Sequence, residues 1–390
     1  MARSRAGRGR VPTGLHRRIG QLAIVGFDGY TLPPEVASLA REFDLGGVLL
    51  FKRNVESPEQ VAELALRAQD LAGDLPLWVA VDQEGGRVAR LRAPLTEWPP
   101  MATLGRSGDD ELAARFARAL ALELAVVGLS LDFAPVLDVL TNPGNPVIGD
   151  RAIADRAETV GRLGAIIVRE LQGRGIAACG KHFPGHGDTS VDSHLDLPVV
   201  EHPPERFREI DFPPFRAAIE AGVAGIIIGH LLVPAFDEQR PATLSPAIVE
   251  GLLRRELGFE GPVFTDDMDM KAIAAYHSRD RAVVGALAAG CDTLLLCGTD
   301  VAAHAAALES IVHAVEREDL SYKRIEDSLA RQRRTKSRFA AMKPWVDEVS
   351  GGWIVPPLSP AWRPLPPAQL RAIVGRDEHQ AVAQEMREYL

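Results

Sequence analysis

Short, continuously apolar runs recur along this chain, and between them lie stretches whose apolar residues fall at helical spacing. The runs cover 21–27, 47–51, 77–81, 131–138, 175–180, 225–228, 262–265 and 293–297. Apolar runs without polar alternation belong to strands buried on both faces, the condition of a parallel sheet covered by helices. The intervening stretches carry helix punctuation. Pro33-Pro34 opens one, and Ser57-Pro58-Glu59-Gln60 supplies an N-cap, a proline at the first helical position and an early acid. Further helices are expected over 109–127, 157–173, 204–221, 246–257 and 279–289. Eight such units predict an α/β chain folded as a closed (β/α)8 barrel of the TIM type with a short C-terminal extension. A doubly wound open sheet is disfavoured, because no Gly-x-Gly-x-x-Gly turn follows the first run.

The same pattern divides the chain into a basic arm (1–14), a barrel (15–342) and a Pro/Gly-rich wrap ending in one helical piece near 368–389 (343–390). The arm, with Arg3, Arg5, Arg8 and Arg10, is expected to be a disordered, solvated tail. No apolar segment after it has the length of a signal-peptide core, so a cytoplasmic location is expected; no run is long enough to span a bilayer. A formal charge of -9 gives no overall attraction to nucleic acid or to acidic membranes. Cys179, Cys291 and Cys297 lie in or beside apolar runs and read as small buried hydrophobes. The sequence leaves the oligomeric state open.

A barrel of this kind places its chemistry at the C-terminal ends of the strands, and the polar residues gather there: Asp82, Asp138, Lys181, His182, His230 and Asp266. The densest stretch is Lys181-His182-Phe183-Pro184-Gly185-His186-Gly187-Asp188, followed by Asp192-Ser193-His194. Three kinds of activity could use this set. Metal-assisted hydrolysis would draw on His182, His186, Asp188, Asp192 and His194, but the first and second strands end without a histidine. Glycosidic cleavage needs a nucleophilic carboxylate, for which Asp266 is placed, and a proton donor that titrates near neutrality, such as His194 oriented by Asp192. The third is a sugar- or peptide-binding barrel with no reaction. Each residue also has a plainer use. Asp188 or Asp192 can cap the glycine-rich loop, Asp267 and Asp269 can start a helix, His186 can shape its loop, and Asp132 and Asp138 can form ion pairs at the rim.

At these residues the sequence closely resembles the signature of glycoside hydrolase family 3, in its single-barrel β-N-acetylhexosaminidase (β-N-acetylglucosaminidase) branch. Asp82-Gln83-Glu84-Gly85-Gly86-Arg87-Val88 with Arg90, Ile148-Gly149-Asp150-Arg151 and Thr265-Asp266-Asp267-Met268 extend the likeness in the family's order over about 15–340. The resemblance implies Asp266 as a nucleophile forming a covalent glycosyl-enzyme, His194 as acid/base and Asp192 as its partner. It implies Asp82, Arg90, Arg151, Lys181 and His182 as the residues that hold the sugar, with no metal and no organic cofactor. The implied substrate is a terminal non-reducing β-linked N-acetylglucosamine, from peptidoglycan-derived fragments where members are cytoplasmic. A broader β-glycosidase, or a phosphorylase of the same family, is the enzymatic alternative. The arginine arm and the C-terminal extension depart from the family pattern.

Overall fold

The computed structural model describes residues 14–193 and 196–390, so the arm 1–13 and His194 lie outside the described residues. Eight strands close a barrel in sequence order, β1 (Ala23–Val25), β2 (Gly47–Leu50), β3 (Trp78–Val81), β4 (Leu131–Asp132), β5 (Ala177–Phe183), β6 (Gly225–Ile228), β7 (Val263–Asp267) and β8 (Thr293–Leu296). Every neighbouring pair is parallel, and β8 returns to β1 with Ala23 opposite Leu294. The predicted barrel is the observed one.

Period-two alternation sorts the strand side chains into two layers. Val25, Val48, Val79, Ala178, Ile226, Val263 and Leu294 face the helices. Ile24, Leu49, Trp78, Ala80, Leu131, Phe133, Ala177, Cys179, Ile227, Phe264 and Leu295 fill the interior. Phe133 and Phe264 meet edge to face there, 6.0 Å apart. The strands' N-terminal end is closed by the helix Tyr322–Ala340, whose Phe339 packs on Trp78 at 5.9 Å and whose Gln332 accepts the indole N–H of Trp78. The C-terminal end stays open.

Two strands differ from the apolar runs. The fourth run continues to Asp138, but regular strand pairing ends at Asp132. Beyond it the segment still follows β5, the consecutive carbonyls of Ala134 and Pro135 taking the amides of Cys179 and Lys181, and Leu137 donating to the Lys181 carbonyl at 2.6 Å. β5 extends past the apolar run to Phe183, which pairs with Ile228, so Lys181 and His182 are strand residues.

Ser57 caps its helix as the sequence predicts, accepting from the Gln60 amide, and Asp109 caps Asp110–Val126. The helix expected over 204–221 widens to a π turn at Phe207–Asp211, just before Pro213-Pro214, whose rings and missing N–H groups do not fit a regular α turn. Residues Ala247–Glu256 wind as a π helix.

The single terminal helix expected over 368–389 is two, Pro367–Ile373 and Asp377–Arg387. Gly375 separates them at φ +62, with its Cα so close to Pro94 that a Cβ would lie 1.9 Å from that carbonyl. A two-stranded antiparallel hairpin, β9 (Trp345–Val346) and β10 (Trp353–Ile354), precedes them. The three cysteines are buried free thiols.

Candidate active site

The open end of the barrel holds a cavity of about 300 Å³ lined by residues from the strand ends. One wall is a charged network. Gln83, just past β3, gives its amide to Asp132 and uses its side chain to hold the amides of Arg90 and Leu91 and the Leu91 carbonyl. That folds the following loop back, so the Arg90 guanidinium comes within 3.3 Å of Asp82. Lys181 Nζ reaches Asp82 at 2.8 Å and Glu84 at 2.6 Å. Arg151 grips both oxygens of Glu84, each at 2.8 Å.

Burying these charges is costly, and bidentate geometry with alternating signs offsets the cost. Burial alone would raise the carboxyls of Asp82 and Glu84. Lys181 with Arg90 at Asp82, and Arg151 with Lys181 at Glu84, hold them below their ordinary ranges. Burial would likewise lower Lys181, but Asp82 and Glu84 raise it. All three are charged at neutral pH.

His182 is oriented from behind. Asp138, fully buried, accepts His182 Nδ1 at 2.7 Å and the backbone amides of His182 and His186. The ring's other nitrogen, Nε2, is left for the cavity that His182 lines. His186 sits edge to face with His182 at 5.7 Å and contacts Thr189 and Ser193. The loop can press this close because residue 187 is glycine: a Cβ there would lie 1.8 Å from the Val139 carbonyl. Asp188 anchors the loop to Thr141 and His202.

Asp266, at the end of β7, faces the cavity and accepts the amide of Asp267 at 2.8 Å. Burial would raise its carboxyl, but His182, His230, that amide and Lys181 bring it below the ordinary range, so it is an ionised acceptor at neutral pH. His230 is occupied in holding the strand, between Thr243 Oγ1 at 2.7 Å and the Asp267 carbonyl at 2.9 Å. Beside it, Asp267 is pushed up to about 6, mainly by burial.

The structure therefore brings Asp82, Arg90, Arg151, Lys181, His182 and Asp266 around one cavity. Asp192 is half-buried next to Ser193, which lines the cavity; His194 lies outside the described residues. Asp138 does meet a basic side chain, though the partner is His182, hydrogen-bonded to it beneath the site. Asp132 differs from the expected rim pair. It takes the Gln83 amide, forms no ion pair among the described residues, and burial pushes its carboxyl well above the ordinary range. Glu84 was not among the expected sugar-holding residues, although the two-residue offset from Asp82 signals a shared side. Among the described residues one His/Glu group, His16, Glu42 and Glu309, brings possible metal-ligand atoms within 4.8 Å, and none of the three lines the cavity.

Related proteins share this architecture. Beta-hexosaminidase A of Pseudoalteromonas piscicida is 35% identical over 334 residues, 79% of this chain and 56% of that one. The match thus spans little more than half of that relative. Beta-hexosaminidase of Nitrosomonas eutropha is 41% identical over 259 residues, 65% of this chain and 74% of that one. A solved family 3 β-N-acetylglucosaminidase from Paenibacillus superposes with a TM-score of 0.85 at 39% identity, covering 96% of this chain and 68% of that one. Residues 14–334, from ahead of β1 into the helix that closes the barrel, match the model of the glycosyl hydrolase family 3 N-terminal domain, and the chain belongs to that family.

Proposed function

We propose that this chain is a retaining exo-glycosidase that removes terminal non-reducing β-linked N-acetylglucosamine. The observation that carries the reading is Asp266, an ionised carboxylate facing the same cavity as a wall of cations and carboxylates. A polyhydroxylated ring needs such donors and acceptors, since each polar group left unpaired on burial costs about 1 to 3 kcal/mol. A cavity of about 300 Å³ is at the small end for ligand sites and suits one terminal ring. The relatives named beta-hexosaminidase support an N-acetylhexosamine as that ring.

In the proposed reaction Asp82, Arg90, Arg151, Lys181 and His182 hold the sugar. Asp266 attacks the anomeric carbon while His194, paired with Asp192, protonates the departing oxygen. His194 then takes a proton from the water that releases the sugar from Asp266. The scheme uses side chains alone. We assign catalysis to 15–342, with 343–390 as a supporting wrap, and take peptidoglycan-derived fragments in the cytoplasm as the substrate. No helix among the described residues is long and apolar enough to cross a membrane.

The test is release of aryl alcohol from matched N-acetyl-β-glucosaminide and β-glucoside, with EDTA present and phosphate varied. Release from the N-acetyl substrate, insensitive to both additions, is expected, and Asp266→Ala should abolish it in a folded protein. Acceleration by phosphate would move the reading to phosphorolysis. Appreciable turnover by Asp266→Ala would remove Asp266 from the nucleophile role.

A further inference from the structure

Phe51 stands just past β2 and lines the cavity, and two guanidinium groups share its ring. The central carbon of the Arg53 guanidinium lies 4.3 Å from the ring centroid and that of Arg90 lies 5.6 Å from it. Both fall within the distance, about 6 Å, over which the electron-rich face of a ring attracts a cation.

The two arginines are held differently. Arg53 is tied to backbone, its Nε donating to the Phe27 carbonyl and its Nη2 to the Cys297 carbonyl, each at 2.8 Å. Those carbonyls lie just beyond β1 and β8, so Arg53 fastens the turn after β2 to the pair of strands that closes the barrel. Asn54, fully buried, secures the same turn: its side-chain nitrogen donates to the Phe27 and Gly29 carbonyls, and its oxygen accepts the Phe51 amide at 2.9 Å. Arg90 has no comparable tie. Gln83 holds its backbone amide, but among the described residues its guanidinium donates only to Asp82, at 3.3 Å, which is long for a charge-assisted bond. Its Nε is buried with no hydrogen-bond partner among the described residues.

We infer that Phe51, braced by Arg53, is a positioning residue that fixes the Arg90 guanidinium at the cavity wall. The inference rests on the proposed function, in which Arg90 helps to hold the terminal sugar. An arginine steered by one long hydrogen bond keeps much of its rotamer freedom, and a sugar that had to order it on arrival would bind more weakly for doing so. A ring face held in place by the turn after β2 limits the guanidinium beforehand. It does so without occupying the N–H groups, which are left for the sugar.

The experiment is a double-mutant cycle read as kcat and KM on an aryl N-acetyl-β-glucosaminide. Phe51→Leu keeps apolar bulk and removes the ring face. It is expected to raise KM about 5-fold with little change in kcat, and Arg53→Met, which removes the brace, about 3-fold. Phe51→Tyr keeps the face and should restore KM. In an Arg90→Met background Phe51→Leu should add no further loss, because the group it positions is gone. Additive losses would mean that Phe51 meets the sugar itself and would overturn the positioning role, as would an unchanged KM in Phe51→Leu. Melting temperatures identify a variant that has merely unfolded; should Phe51→Leu do so, Arg53→Met takes its place in the cycle. Arg90→Met separates the two levels. If it raises KM by about 10-fold and the Phe51 and Arg53 variants do not couple to it, the inference alone fails. If it leaves KM unchanged, or the wild type does not turn over the substrate, the sugar-holding role of Arg90 and the inference fall together.

Discussion

Glu84 is almost shut off from solvent, with Arg151 on both its oxygens and Lys181 on one. Glu84→Gln keeps the shape and removes the charge, leaving Arg151 without its carboxylate and Lys181 with Asp82 alone. Removing one partner of a buried ion pair costs roughly 3 to 5 kcal/mol, and the remaining Lys181–Asp82 contact places this variant near the lower figure. Urea unfolding at pH 7 would read that loss, and KM should rise with it. The pH dependence has a defined sign. The folded carboxyl lies well below its ordinary value of 4.5, so its stabilisation is complete above that value and drains away as pH falls toward the folded one. The wild type should therefore lose more stability than Glu84→Gln as pH falls from 4.5; equal slopes would mean that Glu84 is not the group titrating. Glu84 also marks the limit of sequence reading at this scale. A barrel sends strand-end residues into its mouth, which made Asp82, Lys181 and Asp266 legible. Whether Glu84 meets sugar or a neighbouring cation, and whether Asp138 orients a ring or an arginine, depends on side chains from other strands.

The helix Tyr322–Ala340 carries Lys336 into the closed end of the barrel, where Nζ donates to Gln21 Oε1 at 2.9 Å and to the Gly46 carbonyl at 2.7 Å. Burial brings this amine down to about 7, with Asp44 offsetting only part of the effect. An unfolded lysine binds its proton up to its ordinary value of 10.5. Between those values the unfolded state holds more protons, and stability rises with pH. Lys336→Met should therefore be more stable than the wild type at pH 6, by roughly 1 to 4 kcal/mol, with the gain shrinking toward pH 10. The Gly46 carbonyl keeps the Trp78 amide in the variant, and the buried Gln21 Oε1 is the acceptor that loses its donor, a cost set against the relief of the buried charge. Unfolding at pH 6, 8 and 10 checks this, and a variant less stable at pH 6 would show that the hydrogen bonds outweigh the buried charge. At this scale the sequence was most legible where one local signal suffices: apolar runs for strands, Ser57 with Pro58 for a helix start. It was silent on the π turn at Phe207–Asp211 and on the hairpin, whose paired strands are two residues each and too short for a periodic pattern. The break at Gly375 comes from its close approach to Pro94, a contact across the sequence.

Across the whole molecule, the cavity at one end of the barrel and the closing helix at the other leave the side for the wrap of residues 343–390. Its attachment centres on the helix Asp110–Val126. Trp362 is buried there with its indole N–H on the Ala125 carbonyl at 3.0 Å, and its ring fills the space above Gly128, where a Cβ would come within 2.4 Å. Nearby, the buried Glu123 gathers the Thr96 amide and hydroxyl, the Gly375 amide and His379 Nδ1, joining the wrap to the loop ahead of the helix. No residue of the wrap lines the cavity at the barrel mouth. Stability and catalysis should then separate. Trp362→Ala removes a large buried ring and one hydrogen bond, which costs about 3 to 5 kcal/mol. The temperature of inactivation should fall by several degrees while kcat and KM at 25 °C stay at wild-type values. Steady-state kinetics at 25 °C beside a thermal scan tests both halves. A changed KM in a fully folded variant would mean that the wrap acts on the site through the helix it covers, because no direct contact could carry the effect.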